Sequence, residues 1–217
     1  MTNQLCIYCG EKEATTKDHV PPKSFFAKPR PSNLITVPSC DDCNGKYGKD
    51  DERIRNIITS IDTTEVHPMV QGKIDQKRDR SYRRPEGRPN FDHLIGSIQM
   101  TNRYSENGHN LGRAPAFSLD QGIVDKFLER MVRALLFKEN GIEYTQLDVK
   151  WKMAPTEKDL ATMPNGIKAF LFSKPVKEIG NGIFAYIGYF SEGKPNSLWL
   201  MNFYEGIEFM VLVKKAS

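Results

Sequence analysis

Four cysteines fall in two CxxC pairs near the start of the 217-residue chain. Cys6 and Cys9 form the first pair, Cys40 and Cys43 form the second, and the rest of the sequence holds none. A CxxC turn places both sulfur atoms on one side, so two such turns supply the four thiolates of a tetrahedral zinc site. Unpaired thiols or a redox pair are the alternatives. In a reducing compartment, the pattern favours a structural Zn²⁺ over disulfides.

Three further residues have the side chains that phosphodiester hydrolysis requires, namely a base and ligands for a cation. His19 titrates near neutral pH and is a candidate general base. Asp18 and Asn44 offer carboxylate and amide oxygens, which Mg²⁺ or Mn²⁺ prefers. Neighbours on a strand point to opposite faces. We therefore expect Asp18 and His19 to straddle an irregular strand end at Pro21 and Pro22.

Taken in order, the segments CIYCG, KDHVPP, NLITV and CDDCNGKYGKDD resemble the HNH endonuclease family in its four-cysteine, zinc-stabilised ββα-metal form. The resemblance covers the chain up to about residue 62. It implies His19 as general base, Asp18 and Asn44 as ligands of a catalytic Mg²⁺ or Mn²⁺, and Asn33 as the residue that braces the loop carrying His19. Asn44 stands where the family name calls for histidine, which leaves the preferred metal open.

Nucleic acid, with DNA as the expected substrate, is the partner that this resemblance implies. Two alternatives stay open. One is a zinc-stabilised module that binds nucleic acid or protein without catalysis, and the other is an RNA-cleaving effector with the same catalytic residues. Metal-dependent cutting of different substrates would separate the three.

The elements around these residues predict a small α+β module over residues 1–62. The run TTKDHVPPKSFF predicts a strand that stops at its two prolines, and NLITV predicts the second strand of a hairpin. A helical stretch opens at Cys40 and continues through DDERIRNIITSI. We expect a zinc-stapled, treble-clef-like ββα-metal fold.

Residues 63–115 contain few apolar clusters and many Gly, Asn, Arg and Pro, which predicts an extended basic connector. Its Arg and Lys run suggests phosphate binding, although a solvated arm without a partner is an equally good interpretation. Together with lysines of the first module, the candidates for nucleic-acid contact are Lys23, Lys46, Lys49, Arg78, Arg80, Arg83 and Arg84.

Residues 116–217 predict an α+β domain of unknown role. Apolar residues from Ile123 to Leu136 recur at three- and four-residue steps, so we expect a helix with Ser118 near its start and Gly141 at its stop. The runs KAFLF, IFAYIGYF, SLWLMNF and IEFMVLV then predict an antiparallel meander. The apolar stripe of the helix fits either an internal core or a homodimer interface.

Composition restricts the class of protein. A hydrophobic fraction of 39% with 27% charged residues is typical of globular proteins and excludes a disordered chain. The formal charge of +4 is a mild bias and does not by itself indicate nucleic acid. We see neither an apolar run of roughly 20 residues nor a secretory signal, and we therefore expect a cytoplasmic protein without a membrane span.

Overall fold

A computed structural model of the protein describes residues 4–105, 107–141, 146–156, 159, 161–190 and 193–216. These residues form helices and antiparallel sheets, which confirms the α+β prediction. The helices are α1 (Asp41–Lys46), α2 (Gly48–Ile58), α3 (Asp62–Glu65), α4 (Asp75–Arg83), α5 (Arg88–Gly96), α6 (Gln121–Asn140) and α7 (Asn165–Ser173). The strands are β1 (Thr16–Val20), β2 (Ile35–Ser39), β3 (Gln99–Tyr104), β4 (Asn110–Ala116), β5 (Leu147–Met153), β6 (Lys177–Ile179), β7 (Phe184–Phe190), β8 (Ser197–Phe203) and β9 (Ile207–Lys215).

The first module is a β-hairpin followed by two helices, as predicted. Strands β1 and β2 pair antiparallel, with Asp18 opposite Val37 and His19 opposite Thr36. β1 ends directly before the two prolines, because proline donates no ladder hydrogen bond. A short 3₁₀ turn, Lys23–Phe25, follows in the loop. The predicted helical stretch after Cys40 is divided into α1 and α2.

The prediction of an extended connector over residues 63–115 is wrong for this segment's secondary structure. It holds α3, a π-helical turn over Val70–Ile74, α4, α5 and the β3–β4 hairpin. Its few apolar residues are well placed: Val70, Ile74 and Leu94 are buried and anchor the helices. The many Gly and Arg residues of this segment indicated a connector without regular structure. The few buried apolar residues are nevertheless enough to anchor its helices. The proposed domain boundaries at residues 62 and 115 stay predictions.

The third region is a long helix and a five-stranded antiparallel sheet of order β5-β9-β8-β7-β6. Helix α6 ends as predicted at Gly141, whose φ of 67° is left-handed. Its N-cap, however, is Asp120, whose side chain accepts from the Ile123 N–H, rather than Ser118. The run KAFLF lies within α7 and is not a strand. An apolar run this short carries no clear period, so it fits helix and strand equally.

The three regions share one hydrophobic core. Phe25 of the 3₁₀ turn stacks against Phe127 of α6 with ring centroids 5.7 Å apart, and against Tyr204, which follows β8, at 6.2 Å. The Tyr204 hydroxyl donates to the Phe25 carbonyl oxygen at 2.7 Å. Helix α6 packs on β1, β2, α2 and β5. The turn beside His19 is therefore fixed by the C-terminal half. Among the described residues, none of the helices has the length and apolar character of a membrane span.

Candidate functional site

The four cysteines converge on one point. Their sulfur atoms all lie within 4.8 Å of one another, with Cys6 and Cys40 buried and Cys9 and Cys43 partly buried. Burial disfavours the Cys6 thiolate, but hydrogen bonds from Cys40 and neighbouring backbone groups outweigh it and lower the pKa of Cys6 to about 6. The thiolate is the form that binds metal. The four cysteines are thus positioned to hold a metal ion, and a four-sulfur set of this kind fits Zn²⁺.

Three of the predicted catalytic residues line one cavity beside this cluster. The cavity has a volume of about 230 Å³. Asp18 and His19 reach it from β1, and Asn44 reaches it from α1. The complete lining consists of Lys17, Asp18, His19, Pro22, Lys23, Ser24, Asn44, Gly48 and Asp51. Asp18 and His19 both line the cavity although they are neighbours on a strand. Both are regularly paired within β1, so the expected irregular strand end does not lie between them.

The carboxylate of Asp18 is buried and held at both oxygens. Its Oδ2 accepts from the Tyr8 hydroxyl at 2.8 Å, and its Oδ1 accepts from the His19 backbone N–H at 2.8 Å. Nη1 of Arg130 lies 3.9 Å from Oδ2. Burial, and then the Asp18 charge, raise the pKa of Tyr8 well above its usual value, so the phenol remains a donor. These contacts fix the orientation of the carboxylate.

His19 is half-buried at the rim of the cavity. Burial lowers the pKa of its imidazole, and the nearby Lys23 lowers it further, whereas Asp18 and the Lys17 backbone act in the opposite direction. A lowered pKa keeps the ring neutral near physiological pH. The neutral ring is the form that can accept a proton from water.

Asn44 is held by one side-chain hydrogen bond. Its amide nitrogen donates to the Thr16 hydroxyl at 3.1 Å. Because this bond uses the nitrogen, the amide oxygen remains available as a ligand atom. The backbone N–H of Asn44 donates to the Cys40 carbonyl oxygen at 3.0 Å, which ties the residue directly to the cysteine cluster.

Asn33 lies apart from the other three predicted catalytic residues. It is exposed, and its amide nitrogen donates to the carbonyl oxygen of Glu178, 145 residues away along the chain. It lines a different cavity, together with His67 and Glu205, and is absent from the lining of the cavity at His19. This hydrogen bond gives no support to the bracing role of Asn33, which stays a prediction. The side chain of Asn33 instead bonds to the C-terminal sheet, which lies outside the part of the chain that the family resemblance covers.

Two charged residues near the cavity were absent from the sequence-based prediction. Asp51 of α2 lines the cavity, and both of its oxygens accept from Arg130 of α6, with Nη1 3.2 Å from Oδ2. Burial raises the pKa of Asp51 to about 6, although the Arg130 guanidinium acts to lower it. Arg130 also lies over the Tyr47 ring, 4.5 Å from its centroid. The sequence does contain a signal for Arg130. This charged residue falls three residues after Phe127 and therefore on the apolar face of the predicted helix.

The predicted nucleic-acid contacts of the first module lie in different places. Lys23 lines the cavity at His19. Lys46 is exposed and lies 5.3 Å from the centroid of the Tyr47 ring, near a second cavity beside the cysteines. Lys49 is exposed on α2. Of these three lysines, only Lys23 borders the residues proposed for catalysis.

The predicted contacts in and directly after α4 divide into two groups. Arg78 bonds to the Thr59 carbonyl and pairs with Glu65 at 3.4 Å, and Arg84 pairs with Glu52. These two guanidinium groups are used within the protein. Arg83 is exposed, and Arg80 lines a separate groove with other cations.

Comparison with known proteins bears on the first module alone. Residues 6–50 match the sequence model of the family described as HNH endonuclease. The matched segment contains both cysteine pairs, the β1–β2 hairpin and α1. The module is therefore of the HNH type, with a four-cysteine metal site. No curated protein and no solved structure matches the chain.

Proposed function

We propose that the protein is a metal-dependent endonuclease that hydrolyses phosphodiester bonds of nucleic acid, most favourably DNA. The observation that carries this proposal is the single cavity lined by Asp18, His19 and Asn44, adjacent to the four-cysteine site. The match of residues 6–50 to HNH endonucleases supports the same chemistry.

The donor atoms in the cavity fit a small, hard divalent ion. One carboxylate and one amide oxygen are ligands that Mg²⁺ or Mn²⁺ accepts alongside water. The cavity of about 230 Å³ leaves room for such waters, because each occupies about 30 Å³. Asp18 and Asn44 would hold the ion, which when bound would neutralise charge on the phosphate and on the departing oxygen.

The residues of the chain supply the proton transfer and part of the substrate binding. His19 accepts a proton from water as the water oxygen bonds to phosphorus. The bond from phosphorus to the 3′ oxygen breaks, and that oxygen takes a proton from solvent, which leaves 5′-phosphate and 3′-hydroxyl ends. Lys23 lines the same cavity, and its ammonium group would contact the phosphate.

The test is cleavage of supercoiled plasmid with added Mg²⁺ or Mn²⁺. His19→Ala should lower the rate by about 10²- to 10⁴-fold, as expected for loss of a general base. Zinc content and circular dichroism should be unchanged. His109→Ala, at an exposed position in the β3–β4 hairpin, is the matched control and should cut like the wild-type protein. Wild-type cutting by His19→Ala would remove the proposed base.

Two other functions would use most of these residues. The cleavage assay distinguishes them when short duplexes, branched DNA and structured RNA are included as substrates. A binding module without catalysis would retard the plasmid or a short duplex in a gel and leave it uncut with either metal. An RNA-cleaving effector would cut structured RNA faster than double-stranded or branched DNA. A cytoplasmic location and a homodimer formed through the C-terminal region stay predictions.

A further inference from the structure

A groove beside the residues that follow the 3₁₀ turn is lined by five cationic residues. It has a volume of about 420 Å³ and also contains Phe26, Ala27 and Gln76. Its lining, over the part of the chain that the structure describes, contains no carboxylate. We call this groove the basic groove. Its five cations are Lys28, Arg30, Lys73, Lys77 and Arg80.

Two separate segments of the chain build the basic groove. Lys28 and Arg30 lie in the loop between β1 and β2, and the other three lie on the π-helical turn and α4. Lys73, Lys77 and Arg80 follow one another at spacings of four and three residues, which places them on one helical face. The loop and the helix thus each present their cations to the same groove.

The cations of the basic groove form no ion pair with a residue that the structure describes. Among the described residues, none of its five cations lies within ion-pair distance of a carboxylate, whereas Arg78 and Arg84 of the same helical region are paired with Glu65 and Glu52. Lys77 donates to the Ser24 carbonyl oxygen at 3.0 Å. Like charges gathered without counter-charges oppose folding, and a bound anion relieves that repulsion.

Lys77 is the half-buried cation of the groove, and burial affects its charge more than the neighbouring cations do. Burial lowers the pKa of its ammonium group to about 8, and the nearby Arg55 and Arg30 lower it further. The half-buried ammonium is nonetheless held in place by Ser24. An anion in the groove would raise this pKa again, because it favours the charged form.

The basic groove adjoins the catalytic cavity. Ser24 lines that cavity and also accepts the bond from Lys77. Lys23, the residue before it, lines the cavity as well. Arg30 of the groove lies close enough to His19 to lower the pKa of the imidazole. Cationic side chains therefore line both the cavity at His19, which contains Lys17 and Lys23, and the adjoining groove.

We propose that the basic groove binds the sugar-phosphate backbone of the nucleic-acid substrate at phosphates beyond the scissile one. This inference rests on the proposed function, because a nucleic acid that is cut at His19 would extend from that cavity into the adjoining groove. The ligand is a chain of phosphodiesters rather than a single anion, because the cations extend along a helical face and a loop. The groove orients the substrate and contributes affinity that is independent of base sequence.

The experiment measures binding without cleavage, using His19→Ala protein with its zinc retained and a fluorescent DNA duplex of about 30 base pairs. Lys73→Gln with Arg80→Gln removes two exposed cations of the groove. Lys214→Gln with Lys215→Gln, at exposed positions of β9, removes the same charge elsewhere and is the matched control. Binding is followed by anisotropy over a range of salt concentrations.

The expected loss follows from counterion release. Each lost phosphate contact reduces the slope of log K against log salt by about 0.9, which weakens binding about fivefold near 0.15 M salt. The groove variant should therefore bind about 30-fold more weakly, with a slope lower by about 1.8. The control should change by less than about twofold. The same series with duplex RNA shows which backbone the groove prefers.

Each outcome decides the proposal. Equal affinities and slopes for the groove variant and the control would overturn it, and so would failure of the parent protein to bind either duplex. Binding that depends on the groove, in a wild-type protein that cuts no substrate, would support the groove and refute the proposed nuclease activity. The two ideas can therefore fail separately.

Discussion

The buried ion pair between Arg130 and Asp51 gives the sharpest prediction for stability. Replacing Arg130 with Met keeps much of the side-chain volume and removes the charge. The Arg130 side chain is 5% exposed, and those of Asp51 and Asp18 are 13% and 8% exposed. The substitution leaves two carboxylates of like charge in a buried site without their cation. Breaking a buried pair in this way costs about 3–5 kcal/mol.

Such a loss would be a large part of the stability of an ordinary domain, which is about 5–15 kcal/mol. The assay is urea denaturation of the zinc-loaded proteins near pH 7. Lys126→Met, at an exposed position on the same helix, is the control. It should change the free energy of unfolding by no more than about 0.5 kcal/mol.

A second substitution separates loss of the ion pair from loss of packing. Asp51→Asn removes the carboxylate that Arg130→Met leaves unpaired, so the double variant should be more stable than Arg130→Met alone. A deficit of less than about 1 kcal/mol for Arg130→Met, or a double variant no more stable than the single one, would refute the reasoning.

The pH dependence of this deficit has a definite sign. Burial already raises the pKa of Asp51 to about 6 in the wild-type protein, and removal of the guanidinium raises it further. A carboxyl group whose folded-state pKa is raised contributes stability that is present at low pH and is lost as the pH rises through that pKa. The deficit of Arg130→Met should therefore shrink when the pH is lowered from about 8 to about 6.

Two further predictions concern the metal site and the asparagines. Cys40→Ser should release zinc and unfold much of the protein, because a structural zinc ion contributes about 10–16 kcal/mol; metal content and circular dichroism measure this. Asn44→Ala should slow plasmid cleavage by at least about tenfold through loss of a proposed metal ligand, while Asn33→Ala should cut within about threefold of wild type because that residue is exposed and outside the cavity. Equal effects of the two asparagine substitutions would contradict the site described here.

The parts of the structure that the sequence predicts correctly are those fixed by local spacing. Two CxxC turns can bring four sulfur atoms together because each turn sets its own pair. Residues from Ile123 to Leu136 repeat at a helical period long enough to exclude a strand, and α6 forms there. The position of His19 before two prolines likewise predicts a strand end.

The parts that the sequence does not predict depend on contacts between distant segments. Asp51 and Arg130 are 79 residues apart, and no periodicity links them. Asn33 is drawn to Glu178 by a sheet that forms only when the C-terminal half folds. The helices of residues 63–96 rest on a few buried apolar residues, which composition alone does not distinguish from a solvated arm.

The cavity at His19 depends on contacts with residues outside the first module. The matched segment ends at residue 50, yet Asp51 and the arginine that faces Asp18 lie beyond it. Phe25, next to the cavity, is packed between α6 and the residues after β8. Because a buried carboxylate is costly without a compensating charge, the packing of α6 against the module, which brings Arg130 within 3.9 Å of Asp18, stabilises Asp18 in its buried position. The C-terminal half is therefore part of the site, and its loss should disrupt the cavity even with zinc bound.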